Sequence, residues 1–166
     1  MQDKITLKNI KYAAFSSEET HCYEATVYFE NKRAGIVKND GHGGADYEYP
    51  ENRDVWKAMQ QYIGTLPDVE TDMRDPHDPD KMFTYGQSLE NICHNLVNDF
   101  LTTRDLKRLL KRKFVWQRDD GGVYECKRRP EHTVEAMQDV IAKTEPTAKL
   151  LNAMPFDKAL EIYRSI

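Results

Sequence analysis

The chain has 166 residues, 39% hydrophobic and 31% charged, with a formal net charge of −4. That length can bury a core without disulfide or metal staples, and no stretch approaches the ~18 apolar residues that span a bilayer. No membrane-spanning helix is therefore expected, and Cys22, Cys93 and Cys126, odd in number and widely spaced, argue against a disulfide framework and suit a reducing cytoplasm.

The opening Met1-Gln2-Asp3-Lys4 runs straight into alternating sequence, which predicts no signal peptide. Residues 4–38 read as strands. Ile5 and Leu7 alternate, then Ile10, Tyr12 and Ala14 alternate on the opposite parity, so a bulge or turn is expected at Asn9-Ile10. The next segment predicts a hairpin with Asn31-Lys32 as its turn. Glu30 would then face Arg33, and Ala25, Val27, Phe29, Ala34 and Ile36 would share the apolar face. Three glycines follow in Asn39-Asp40-Gly41-His42-Gly43-Gly44, an irregular loop, and Tyr47 and Tyr49 begin a further short strand.

Val55, Trp56, Met59, Tyr62 and Ile63 fall at helical spacing up to Gly64 and Pro67. The acidic, proline-containing stretch 67–81 reads as a loop. Ser88 predicts the cap of an amphipathic helix through Leu89, Ile92, Cys93, Leu96, Val97, Phe100 and Leu101. Thr103 would cap a second helix carrying Leu106, Leu109 and Leu110. A hairpin joins Phe114-Val115-Trp116 to Val123-Tyr124-Glu125-Cys126, and residues 132–143 and 155–165 read as two final helices. Segregated elements of this kind predict an α+β fold, a small antiparallel sheet of hairpins with helices packed against it, in a single domain over 1–166.

Three clusters carry chemistry-bearing residues. Around the glycine-rich loop, Asn39, Asp40 and His42 join Glu18, Glu19 and His21 of the preceding polar loop as candidate ligand- or partner-binding residues. Clustered backbone N–H groups there can form an anion nest, but the spacing of a nucleotide-binding fingerprint is absent, and no catalytic set can be assigned. His77 among Asp75, Asp78 and Asp80 does not match a calcium loop, so neither a metal nor another cofactor is expected. Lys107, Arg108, Lys111, Arg112 and Arg118 form a candidate basic surface, with Trp116 or Tyr124 as stacking faces for nucleic acid. Residues 1–100 hold 10 Lys and Arg against 18 Asp and Glu, a net of −8, whereas residues 101–166 hold 14 against 10, a net of +4. The acidic remainder would repel a long polyanion, which favours a protein partner over nucleic acid.

The run from Lys11 to Tyr28, with Asn39-Asp40-Gly41-His42-Gly43-Gly44, resembles small proteins encoded by phages and other mobile elements. That resemblance implies no assigned activity and no catalytic residue. It implies an accessory protein in the host cytoplasm that binds a host or phage protein and modulates it, including as a counter-defence inhibitor. The alternatives are a small enzyme or ligand-binding module acting on a nucleotide or phosphorylated substrate through residues 39–44, and a nucleic-acid-binding regulator acting through residues 104–129.

Overall fold

Alternation at the start of the chain produces β1 (Ile5–Tyr12), which pairs antiparallel with β2 (Tyr23–Phe29). The parity switch is a bulge. Asn9 takes a left-handed φ of 54°, and the pairing shifts between Lys8 and Lys11. The computed structural model describes residues 4–165, so the expectation about Met1, Gln2 and Asp3 lies outside them. β3 (Lys32–Asn39) and β4 (Tyr47–Pro50) complete an antiparallel sheet of order β1-β2-β3-β4.

The hairpin register differs from the expected one. Glu30 and Asn31, with φ of 47° and 64°, form the turn, so Phe29 faces Lys32 and Tyr28 faces Arg33. Both central residues of this turn need positive φ, which Asn31 accepts readily. Ala34 is then extra, because Val27 pairs with Gly35. Its carbonyl accepts the N–H groups of Glu51 and Asn52 at 2.9 and 3.0 Å, so the bulge anchors the chain leading into the next helix. Ile36, expected opposite Val27, consequently lies opposite Thr26, and Val37 lies opposite Ala25. Glu30 pairs with Lys4 at 2.6 Å, and Arg33 pairs with Glu51 instead.

Asn52 caps α1 (Arg53–Ile63) by accepting from the Val55 N–H at 3.2 Å. Its apolar face buries Trp56, Met59 and Ile63, and the helix packs on β3 and β2. Gly35 makes this approach possible, since a Cβ there would lie 2.3 Å from the Tyr49 carbonyl oxygen and 2.8 Å from the Trp56 ring.

Residues 67–81 are not wholly loop. β5 (Val69–Arg74) and β6 (Met82–Tyr85) pair antiparallel, Val69 with Tyr85 and Arg74 with Met82. Pro76 and Pro79 fall in the connecting turn, where the missing N–H groups cost no ladder bond. The Thr71 hydroxyl donates to the Phe83 carbonyl across the pair at 3.0 Å.

Ser88 caps α2 (Leu89–Arg112) as expected, its hydroxyl accepting from the Asn91 N–H at 3.1 Å. The two expected helices are one. No Gly or Pro interrupts residues 89–112, and Thr103 stays in the helical ladder. What mimics a boundary is a five-residue step from Leu101 to Leu106, which turns the apolar face roughly 140° about the axis. The chain divides into two compact units, Met1–Asn98 and Asp99–Ile166, so the division falls inside α2.

The second unit is built on β7 (Lys113–Gln117), central between β8 (Val123–Lys127) and β9 (Lys149–Leu150). The hairpin register is Gln117 opposite Val123, with residues 118–122 as the turn and Gly121 at φ 82°. Phe114 and Val115 are both fully buried, on opposite faces of β7. Val115 packs with Leu106, Leu151, Ala159 and Leu160, the last two from α4 (Phe156–Arg164). Phe114 packs with Ile141 of α3 (Val134–Thr144) and with Leu150. Helices thus cover both faces of a small antiparallel sheet, and the architecture is α+β. Asn152 stitches the unit together: its Oδ1 accepts from the Val115 N–H at 2.8 Å. Its Nδ2 donates to the carbonyls of Leu110 and Lys113 at 3.0 and 2.9 Å.

Candidate functional site

The two polar loops of the first unit dock on each other. The Gly41 carbonyl accepts the N–H groups of Glu18, Glu19 and Thr20 at 3.0, 3.0 and 3.3 Å. The N–H groups that an anion nest in the glycine-rich loop would use are engaged within the fold: Gly41 donates to Asn39 Oδ1 at 2.9 Å, His42 to Asp40 at 3.3 Å and Gly43 to the Thr20 hydroxyl at 3.3 Å. Gly41 has φ 89°, and a Cβ there would meet the Ser16 carbonyl oxygen at 1.9 Å, so only glycine fits this closure. Asn39 is the hub and is buried. Its Oδ1 accepts from the Thr20 hydroxyl at 2.6 Å and the Gly41 N–H at 2.9 Å. Its Nδ2 donates to the Gly44 carbonyl at 3.2 Å and to Asp46 at 3.1 Å.

The remaining candidates scatter around this knot. His42 lies 3.3 Å from Glu18 in an exposed pair. Asp40 accepts the His42 N–H at 3.3 Å and stays exposed, and Glu19 lies against Gly43. His21 points elsewhere: its Nε2 is 2.6 Å from Asn98 Oδ1, and its ring stacks on His94 at 5.6 Å.

Sequence reasoning passed over Asp46. It accepts from Asn39 and from the Tyr23 hydroxyl, tying the loop knot to the buried side of β2. Burial pushes the Tyr23 phenol above its ordinary range, with Cys93 and the Asp46 carboxylate adding to the effect. Burial likewise raises the Cys93 thiol, helped by Asp46 and Glu48. Cys93 sits fully buried on the apolar stripe of α2, as its spacing predicts.

The opposite face of the same sheet carries a groove of about 520 Å³. A cross-strand row, Lys11–Glu24–Lys38–Tyr47, runs across β1, β2, β3 and β4. Lys11 pairs with Glu24 at 2.8 Å. The Lys38 ammonium lies 5.0 Å from the Tyr49 ring centroid and 5.8 Å from that of Tyr47. A hydrogen bond to Tyr49 raises the Lys38 pKa. Tyr47 and Tyr49 are 51% and 45% exposed. Only their strand periodicity was visible in the sequence.

In the second unit, Lys107, Arg108, Lys111 and Arg112 are exposed on α2, and none forms an ion pair among the described residues. Lys107 rests over the Phe156 ring at 5.1 Å. Arg108 borders two shallow grooves of about 310 and 320 Å³, one holding Phe100 and Thr103, the other Leu109 and Tyr163. Arg118 differs from these four. It forms a two-pronged pair with Glu145, with both contacts at 2.5 Å, and covers the Tyr124 ring at 3.8 Å. That guanidinium, together with the Trp116 indole N–H, holds the Glu145 carboxyl below its ordinary range. Trp116 stacks with Tyr124 at 6.1 Å, so neither ring stands free as a stacking face.

Among the described residues, no three His, Cys, Asp or Glu side chains group as a metal site. Asp75 accepts the His77 N–H, and Asp78 pairs with Lys81 at 2.7 Å. Among the described residues, no helix is long and apolar enough to cross a membrane. Compared with protein-family models, curated proteins and solved structures, the chain matches none.

Proposed function

We propose that this chain is a small accessory protein that works by binding a macromolecular partner, and that the basic half of α2 meets an acidic surface on a partner protein. The observation that carries this reading is the set of exposed cations on successive turns without carboxylate partners among the described residues. Lys107 with Lys111 and Arg108 with Arg112 are like-charged i,i+4 pairs. Each such pair destabilises an isolated helix by roughly 0.2–0.5 kcal/mol. A face kept only for solubility is better served by alternating signs. The negative end of the helix dipole eases Lys111 and Arg112 but does not reach Lys107.

A protein partner is favoured over nucleic acid on two grounds. Trp116 and Tyr124 are occupied with each other, with Glu145 and with Arg118. The Arg108 ridge is flanked by Phe100 and Tyr163, and arginine beside aromatic rings is the chemistry of protein interfaces. The setting follows the resemblance of residues 11–44: a phage or mobile-element protein in the host cytoplasm that modulates a host macromolecule, with counter-defence inhibition as one form of that role. Affinity capture from an expressing cell, with mass spectrometry of what is retained, tests this. An acidic protein should be retained by the native chain and lost with K107Q/R108Q/K111Q/R112Q. Equal retention by both chains overturns the assignment of this face.

A further inference from the structure

The groove on the outer face of the four-stranded sheet is unrelated to the basic helix, and its lining is built from different chemistry. Strand alternation sends Lys11, Glu24, Lys38, Tyr47 and Tyr49 to this one side, and Asp40, just past the end of β3, also lines the groove. Two features set it apart from an ordinary solvated sheet face. It is concave, with a volume of about 520 Å³, in the range of small-molecule sites. Ala13 and Cys22 line it as well, and such small side chains leave room above the sheet. Its cations are also held for use. Lys38 is poised over two half-exposed tyrosine rings with no carboxylate within ion-pair distance among the described residues, and Lys11 is 76% exposed beyond its contact with Glu24. Farther along the same face, Lys8 repeats the arrangement over Tyr28 at 4.3 Å.

We infer that this groove binds a planar heteroaromatic ring carrying a phosphate, that is, a nucleotide, either free or within a single strand. The rings of Tyr47 and Tyr49 supply the stacking surface, Lys38 and Lys11 meet the phosphate, and Glu24 and Asp40 accept from amino or hydroxyl groups of the ligand. Base stacking on tyrosine tolerates many bases, while lysine supplies a point charge for phosphate. The net of −8 over residues 1–100 repels a long polyanion and so favours the free nucleotide.

Titration of the full chain with adenosine monophosphate, followed by nuclear magnetic resonance or calorimetry, tests this. Adenosine, inorganic phosphate and an oligothymidylate serve as separate probes. Adenosine monophosphate should saturate at submillimolar concentration, more tightly than either adenosine or phosphate. Y47L/Y49L should weaken it roughly tenfold or more, K38Q should weaken it severalfold, and Y47F/Y49F, which keeps both rings, should retain it. A thermal melt of each variant confirms the fold. Tighter binding of the oligothymidylate at the same tyrosines would identify a single strand as the source of the nucleotide. Affinity no better than that of phosphate alone, or unchanged in Y47L/Y49L with the fold intact, overturns the inference.

Discussion

The docked loops at 16–21 and 39–46 and the basic half of α2 are both dense in polar side chains, yet they handle those groups in opposite ways. In the loops, Asn39 makes four hydrogen bonds, and the Gly41 carbonyl takes three donors. On α2, Lys107, Arg108, Lys111 and Arg112 have no carboxylate partner among the described residues. Polar groups satisfied within the fold stabilise it, whereas charges left open on a rigid helix are available to something else. Density of functional residue types therefore does not mark a site by itself; what matters is whether their hydrogen-bonding capacity is already filled.

The largest expected effect comes from removing an internal hub. Asn152→Ala leaves the Val115 N–H and the carbonyls of Leu110 and Lys113 without their partner, and Asn39→Ala opens the loop knot. Each should cost about 2–3 kcal/mol, because orphaned, partly buried backbone groups carry their full desolvation penalty. Urea unfolding measures this, and a loss under about 0.5 kcal/mol in either variant would show that the hubs are dispensable.

A second test uses alkaline pH. The pKa values of Cys93 and Tyr23 are raised in the fold above their ordinary 9.0 and 10.0. The stability they contribute is complete below those unfolded-state values and is lost as pH rises past them toward the folded-state values. The melting temperature should therefore fall from about pH 9 upward. Cys93→Ala should lower stability at neutral pH yet show a shallower alkaline decline. An identical slope in both proteins would count against burial of the thiol.

The smallest expected effect is at the rim of the knot. Asp40 and His42 are exposed and outside the Asn39 network, so D40A/H42A should leave the melting temperature nearly unaltered, within the ~0.5 kcal/mol typical of surface changes. A large loss in thermal melting would extend the structural role of the loop to its rim.

What the sequence made legible was local. The bulge at Asn9, the Ser88 cap and the amphipathic stripe of α1 each depend on residues a few positions apart. The hairpin register was not legible, because the choice of Glu30-Asn31 over Asn31-Lys32 depends on the Ala34 carbonyl binding Glu51 and Asn52. The strand Lys149–Leu150 is only two residues long, and it exists through pairing with Trp116 and Gln117. Candidate residues followed the same division. Glycine spacing pointed to Asn39, but its task is set by Thr20, 19 positions earlier. Tyr47 and Tyr49 join Lys38 and Lys11 only once the cross-strand row is in place. The four cations of α2 were legible from helical spacing, whereas the engagement of Arg118 with Glu145 was not.

The claim that the open cations serve a protein partner is tested most directly by titrating labelled single- and double-stranded DNA and RNA into the native chain and into K107Q/R108Q/K111Q/R112Q, at low and at physiological salt. The expected result is weak binding that those substitutions scarcely change, with both proteins unfolding within about 0.5 kcal/mol of each other. Submicromolar binding that falls steeply with salt, as counterion release requires, and that disappears with the four substitutions would contradict the claim and identify nucleic acid as the partner of this helix.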